Sequence, residues 1–286
     1  MTERRTVMKE SPDVHQYLTL INEWLGEAAE IARRHYGNIP HSVKEYDANQ
    51  VLTAADIEIG TRLTERIMAQ FPSHNIIDEE LGAVDHKSRF TWVVDPIDGT
   101  SNFAAVTPHF GSMIGLLYDD QPLAGGIVLP LFQQTYLAGK NLGCAMNGQP
   151  VSVTKEARLA NVLAAYGIDG HATNPHKTAA EVRQLARFID AIRNLRTTNS
   201  VYDQAMVASG HYGVTANQTS RIWDNVAQQI IIEEAGGLYT DIDGRPIRYT
   251  QPLTQIDTNF SWLAGAAPLH EQALRALHTN PADTGE

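Results

Sequence analysis

The chain has 286 residues, with 22 Lys and Arg against 33 Asp and Glu for a formal charge of −11, and it carries a single cysteine. Its length admits one large domain or two smaller ones, and its 43% hydrophobic and 19% charged shares are those of an ordinary globule rather than a disordered or membrane chain. Its cationic side chains form no long basic stripe, which argues against a nucleic-acid polymer as partner, and one thiol excludes an intrachain disulfide or a thiolate cluster for zinc.

Residues 1–13 are polar and charged, without the apolar run of about 7 to 15 residues that a secretory signal needs. No stretch approaches the roughly 18 apolar residues of a membrane span, so a cytoplasmic location is expected. From Val14 onward, Tyr17, Leu18, Ile21, Leu25, Ala28, Ile31 and Ala32 keep the spacing of one helical face, predicting a long amphipathic helix that ends near Gly37. A second helix opens at Thr53-Ala54-Ala55-Asp56, a capping-box pattern, carries Ile57, Leu63, Ile67 and Met68, and stops at Phe71-Pro72.

The grammar then changes to short apolar runs at 75–77, 90–94, 112–118, 125–129 and 134–138, punctuated by Gly, Pro and Asp, which predict strands, several of them in hairpins. Helical patterns follow at 177–193, 201–209 and 223–235, with strand-like pieces at 162–166 and 237–240. The fold class is α+β with an α/β-like second half. The polar run 153–161 is the best boundary, dividing an N-terminal α+β part (1–152) from a C-terminal α/β part (153–286). The tail, 279–286, is expected to be disordered. Cys144, Trp92 and Trp223 are expected in the core, and His109 in a loop or as a satisfied core histidine.

The strongest chemical signal is the run from Trp92-Val93-Val94-Asp95 through Pro96-Ile97-Asp98-Gly99-Thr100-Ser101-Asn102-Phe103. An apolar strand delivers Asp95, a tight turn follows, and Asp98 can point the same way. Gly99 and Thr100 can open a short helix whose free N–H groups favour an anion. Two bare carboxylates about 4 Å apart repel by about 4 kcal/mol at an effective dielectric of about 20, so the pair makes sense with a cation between them. Taken singly, the run reads as a surface turn, Asp56 as a capping residue, Asp224 as an N-cap, and Glu79 and Glu80 as surface acids. Their joint occurrence reverses those readings.

Asp95-Pro96-Ile97-Asp98-Gly99-Thr100-Ser101-Asn102-Phe103 resembles the signature of the inositol monophosphatase family. Thr53-Ala54-Ala55-Asp56, the acidic pair Glu79-Glu80 after Asp78, and Trp223-Asp224-Asn225-Val226-Ala227 with Glu234-Ala235-Gly236-Gly237 resemble three further family elements in order and spacing. The resemblance implies a layered αβαβα sandwich and a phosphatase that binds two or three Mg²⁺ ions and hydrolyses a small phosphate monoester with a metal-activated water. It implies Glu79, Asp95 and the Ile97 carbonyl as ligands of a first ion, and Asp95, Asp98 and Asp224 as ligands of a second. Glu79, Asp56 and Thr100 are implied to orient and polarise the water, and the Gly99 and Thr100 N–H groups to hold the phosphate. A homodimer is expected from the same source, with a small phosphorylated metabolite as substrate and no membrane partner.

On the substrate side the chain departs from the family pattern. Polyol-directed members usually carry an acidic residue seven positions before the last metal-ligand aspartate, where this chain has Asn217. Asn199 and Ser200, followed by Tyr202 and Asp203, replace a smaller Gly-Ser or Gly-Thr segment. Asn199, Ser200 and Asn217 are therefore the candidate substrate contacts, and inositol monophosphate and histidinol phosphate rank ahead of fructose bisphosphate or a 3′-phosphonucleotide. The competing functions are a catalytically weak binding relative, which has no need of Asp56 and Thr100, and a glycosidase, which leaves Glu79 and Asp224 unexplained.

Overall fold

The computed structural model describes residues 12–38, 41–44 and 47–278. The apolar stripe forms helix α1 (Val14–His35), opened by Asp13, whose side chain accepts a hydrogen bond from the Gln16 N–H at 3.2 Å. Strands β1 (His41–Lys44) and β2 (Asp47–Thr53) pair antiparallel. Thr53 then caps α2 (Ala54–Gln70), with the Asp56 carboxylate returning to the Thr53 N–H at 2.8 Å in the expected capping box.

The next strands are β3 (Asn75–Asp78), β4 (Gly82–Val84) and β5 (Phe90–Asp98). After the short helix α3 (Thr100–Ala104) come β6 (Gly111–Tyr118), β7 (Gln121–Leu129), β8 (Gln134–Gly139), β9 (Gly143–Met146) and β10 (Gln149–Val151). These eight strands form one sheet in the order β10-β9-β8-β7-β6-β5-β3-β4, antiparallel except between β3 and β5.

The second half supplies β11 (Leu163–Gly167), α4 (Pro175–Ala191), β12 (Asn194–Arg196), α5 (Val201–Ala208) and β13 (Val214–Ser220). It continues with α6 (Ile222–Glu234), β14 (Leu238–Thr240), β15 (Phe260–Gly265) and α7 (Ala267–His278). Its five strands make a separate sheet in the order β12-β11-β13-β15-β14.

Apolar faces dictate how these parts stack. Ile21, Trp24 and Leu25 of α1 and Ile59 and Leu63 of α2 are buried against Trp92, Ile114 and Leu116 on one face of the large sheet. On its other face α6 comes so close that a Cβ on Gly115 would sit 2.6 Å from Val226 and one on Gly125 2.6 Å from Ile230. Helices α5 and α6 also contact β15, and α5 contacts β13, so this pair lies between the two sheets. Phe188 of α4 and Leu269, Ala273 and Leu277 of α7 close the outer face of the small sheet over Tyr166, Val214 and Leu263. The layer order is αβαβα, as expected.

Every predicted helix and strand is present, with ends shifted by up to four residues. The largest shifts are at β5, which continues past Val94 to Asp98, and at β7, which begins at Gln121 rather than 125. The short helix opened by Gly99 and Thr100 is present as α3, whereas the hairpin of β1 and β2, strands β4, β9, β10, β12, β13 and β15, and helix α7 have no counterpart in the sequence reading. Cys144 is buried, with burial pushing its thiol up to about 12. No helix among the described residues is long and apolar enough to cross a membrane. Residues 279–286 and most of 1–13 lie outside the described residues.

Candidate active site

In a regular strand, residues three apart point to opposite faces. Asp95 and Asp98 lie on one strand, β5, and still converge, because β5 slips against β6: Asp95 pairs with Met113 but Asp98 with Gly111, leaving one extra residue on the β5 side. This bulge turns the second carboxylate back beside the first. The third arrives from α6, where Asp224 is the third helical residue and accepts the Arg221 N–H at 2.5 Å. Arg221, not Asp224, therefore occupies the N-cap position. One carboxylate oxygen from each of Asp95, Asp98 and Asp224 lies within 4.8 Å of the others.

Asp95 is 1% exposed, and its Oδ1 is buried without a hydrogen-bond partner. Burial first, and then the charges of Glu79, Asp98, Asp224 and Asp56, push its pKa well up. Asp98 is raised by burial and then by Asp224, opposed by a short hydrogen bond from the Val201 N–H at the start of α5. An orphaned carboxylate oxygen inside a mutually repelling triad is the donor set of a hard divalent cation. These residues fit Mg²⁺.

Around the triad, Glu79 begins the turn after β3, its N–H bonded to the Val94 carbonyl at 3.2 Å, and it lines the same cavity. The Thr100 hydroxyl lies 2.8 Å from the Ile97 carbonyl and 3.3 Å from Asp56 Oδ1. Asp56 is 1% exposed, and burial raises its carboxyl to about 6 against the lowering effect of its Thr53 hydrogen bonds. Gly99 has φ +83°, and a Cβ there would meet Ser200 Cβ at 2.8 Å and the His109 carbonyl at 2.9 Å, so only glycine fits this corner. Helix α3 behind it has five residues, too short for a large dipole, leaving its first N–H groups as the donors available to an anion.

The opposite wall is built from the C-terminal half. Asn199 has φ +51°, Ser200 is the N-cap position of α5, and Asn217 lies on β13 at 7% exposure. Asn217 Nδ2 donates to Asn199 Oδ1 at 3.1 Å. Glu79, Asp95, Ile97, Asp98, Gly99, Thr100, Asn199, Ser200, Asn217 and Asp224 thus share one cavity of about 410 Å³. Asp56 stands behind it, reaching it through Thr100.

The sequence left several members of this site unassigned. Asn102 ties the turn after β5 to the opposite wall, its Nδ2 donating to the carbonyls of His109 and Thr198, both at 2.8 Å. Asp169, His171, Arg221 and Trp262 also line the cavity. The position of Asn102 inside the signature run was a signal. The other four lie outside any motif and reach the cavity only through tertiary folding. Trp92 is core, with Nε1 donating to His74 Nδ1 at 3.1 Å, whereas Trp223 is half-buried and lines the cavity. His109 packs edge-on to Tyr202 in the adjoining loop.

This layering and this site are those of a phosphoric monoester hydrolase. The chain belongs to the inositol monophosphatase family, whose model matches residues 13–280. It is 28% identical to an inositol-1-monophosphatase of Synechocystis sp. over 98% of this chain and 95% of that protein. The solved inositol monophosphatase of Anabaena superposes with a TM-score of 0.78 at 26% identity, covering 96% of this chain and all (100%) of that one. A solved IMPase/NADP phosphatase complexed with Mg²⁺ and phosphate shares the fold, with a TM-score of 0.79 at 20% identity over 94% of this chain and 98% of the other.

Proposed function

We propose that the chain is a Mg²⁺-dependent phosphatase of a small phosphate monoester. The single observation that carries this reading is the convergence of Asp95, Asp98 and Asp224 with a buried, unpartnered Asp95 oxygen. Glu79, Asp95 and the Ile97 carbonyl would hold one Mg²⁺, and Asp95, Asp98 and Asp224 another. When bound, such ions neutralise charge on the phosphate oxygens and lower the pKa of water.

The chain's own groups do the positioning. The Thr100 hydroxyl, within reach of both the Ile97 carbonyl and Asp56, would donate its proton to Asp56 and present its oxygen lone pairs to the attacking water, which Glu79 would hold from the other side. The N–H groups of Gly99 and Thr100 face the phosphate. Departure of the alcohol then takes place against the wall of Asn199, Ser200 and Asn217. An amide at position 217 both donates and accepts hydrogen bonds, which suits a broader set of alcohols than a carboxylate would. Inositol monophosphate and histidinol phosphate remain the leading substrates, ahead of fructose bisphosphate and 3′-phosphonucleotides.

Phosphate release from a panel of monoesters, with Mg²⁺ and with chelator, tests the reading: turnover should require the metal, and metal-independent or absent turnover overturns it. A homodimer is the accompanying expectation, resting on the family resemblance, and a cytoplasmic location is expected from the sequence's lack of a secretory or membrane-spanning pattern. A monomeric mass by light scattering at micromolar concentration refutes the dimer.

A further inference from the structure

Five carboxylates line the cavity, and four of them, Glu79, Asp95, Asp98 and Asp224, gather at the proposed metal end. The fifth, Asp169, stands on the loop after β11 and has a support of its own. The Thr219 N–H donates to Asn217 Oδ1 at 2.7 Å, Asn217 Nδ2 to Asn199 Oδ1 at 3.1 Å, and Asn199 Nδ2 to Asp169 Oδ1 at 3.1 Å. A backbone N–H can only donate, so it sets the direction of the whole chain: Asn217 turns its amide donor to Asn199, and Asn199 turns its own to Asp169. The ladder needs a missing side chain beside it. A Cβ on Gly167 would lie 2.3 Å from both Asn199 Oδ1 and Asn217 Nδ2.

Among the described residues nothing neutralises this carboxylate. His171 Nε2 is turned to the buried Glu181 at 3.0 Å, and Lys177 lies 3.8 Å from Glu181 and 3.4 Å from the Thr219 hydroxyl. The Arg221 guanidinium is bonded to the Asp257 carbonyl. Among the described residues no Lys, Arg or His pairs with Asp169, and its Oδ2 accepts no hydrogen bond. A negative group has been fixed at the cavity wall with one oxygen left over.

Deepening the phosphatase reading, and resting on it, we propose that Asp169 selects the leaving alcohol by accepting a hydrogen bond from a cationic group on it, an ammonium or a protonated ring nitrogen. A hydroxyl makes a charge-assisted hydrogen bond to a carboxylate, and a cationic donor adds to it the attraction between opposite full charges, so the cationic alcohol is the one favoured. Asp169 is thus a specificity residue, distinct from the groups that act on phosphate.

The test compares matched ω-aminoalkyl and ω-hydroxyalkyl phosphates of increasing chain length as substrates of the Mg²⁺-loaded enzyme and of Asp169→Asn. The wild type should favour the amino esters at the best chain length. In Asp169→Asn the ratio of kcat/KM for amino over hydroxy ester should fall about tenfold or more, mostly through KM, and Asp169→Glu should restore part of it. If Asp169→Asn does not fold, Asn217→Ala, which removes the middle rung, should lower the same ratio. A wild type with no preference for the amino ester, or a ratio unchanged by substitution, overturns the proposal while leaving the phosphatase reading standing. Failure of the wild type to hydrolyse any ester with Mg²⁺ overturns both.

Discussion

The two walls of the cavity are built in opposite ways. The wall proposed to face the metal comes mostly from one continuous run, Asp95 to Thr100, whose geometry is forced locally by a bulge, a left-handed glycine and a one-turn helix. The wall proposed to face the substrate is assembled from the loop after β11, the start of α5 and β13, three segments remote in sequence and joined by side-chain amides. In the proposed function, chemistry common to all phosphate esters sits where the backbone itself fixes the donors. In the same reading, discrimination among alcohols sits where single side chains can change without disturbing the proposed catalytic corner.

The sharpest way to break the contrast is Asp95→Asn, which removes charge from the centre of the triad while nearly preserving shape. We expect kcat to fall by about 10³-fold or more at saturating Mg²⁺ for every ester alike. Steady-state kinetics on two unrelated esters checks it, and near wild-type turnover would remove Asp95 from the metal site.

Gly99→Ala attacks the same wall through the backbone. A methyl group 2.8 Å from Ser200 Cβ, on a residue with φ +83°, must displace the corner. A loss of about 10²-fold in kcat/KM should accompany destabilisation of about 1 to 3 kcal/mol. Urea denaturation together with kinetics distinguishes this from a merely local effect; unchanged activity would mean that the corner does not hold the phosphate.

Gly167→Ala is the counterpart on the other wall. Its methyl group would push Asn199 and Asn217 apart. Here KM should rise by about three- to tenfold with kcat changed less, and the ranking of substrates should shift. An equal fall in kcat for all esters would show that the two walls are not separable.

The smallest effect lies outside the cavity and serves as a control. His74 stacks between Phe71 and Phe90, and burial lowers its pKa to about 4 from 6.5. The unfolded chain therefore binds the proton more readily between those values, so His74 contributes stability that is present above pH 6.5 and is lost as pH falls toward 4. Against His74→Phe, the wild type should lose more thermal stability across that window. Parallel melting curves for the two proteins would contradict the assignment, and Mg²⁺ dependence should be the same in both.

Much of the metal-facing wall was legible because its determinants are contiguous or sit at helix starts, where sequence patterns speak clearly. Thr53 and Asp56 announce a capping box, and Trp92 to Val94 announce the strand that carries Asp95. The missed elements share a physical reason. Strand β13 reads Val-Thr-Ala-Asn-Gln-Thr-Ser, with little apolar character in its second half, because that half faces a polar cavity rather than the core. Strands β4, β9, β10 and β12 are three or four residues long, below the length at which alternation can be seen. Asp169 could not be found from sequence at all. Its importance comes from Gly167, Asn199 and Asn217 meeting across 50 residues of chain, an arithmetic (217 − 167) that no local pattern contains.

Helix α6 has a consequence for how the protein breathes. All of its residues from Asn225 to Ile232 are buried between the two sheets, so its amide hydrogens can meet solvent only when the layers part. In hydrogen–deuterium exchange α6 should be among the last segments to take up label, while the exposed strand β4 exchanges early. Asp224 rides on the first turn of that helix. The arm it contributes to the cavity is consequently anchored in a slow-opening layer, and a cation arriving there would meet a carboxylate that thermal motion has not already scattered.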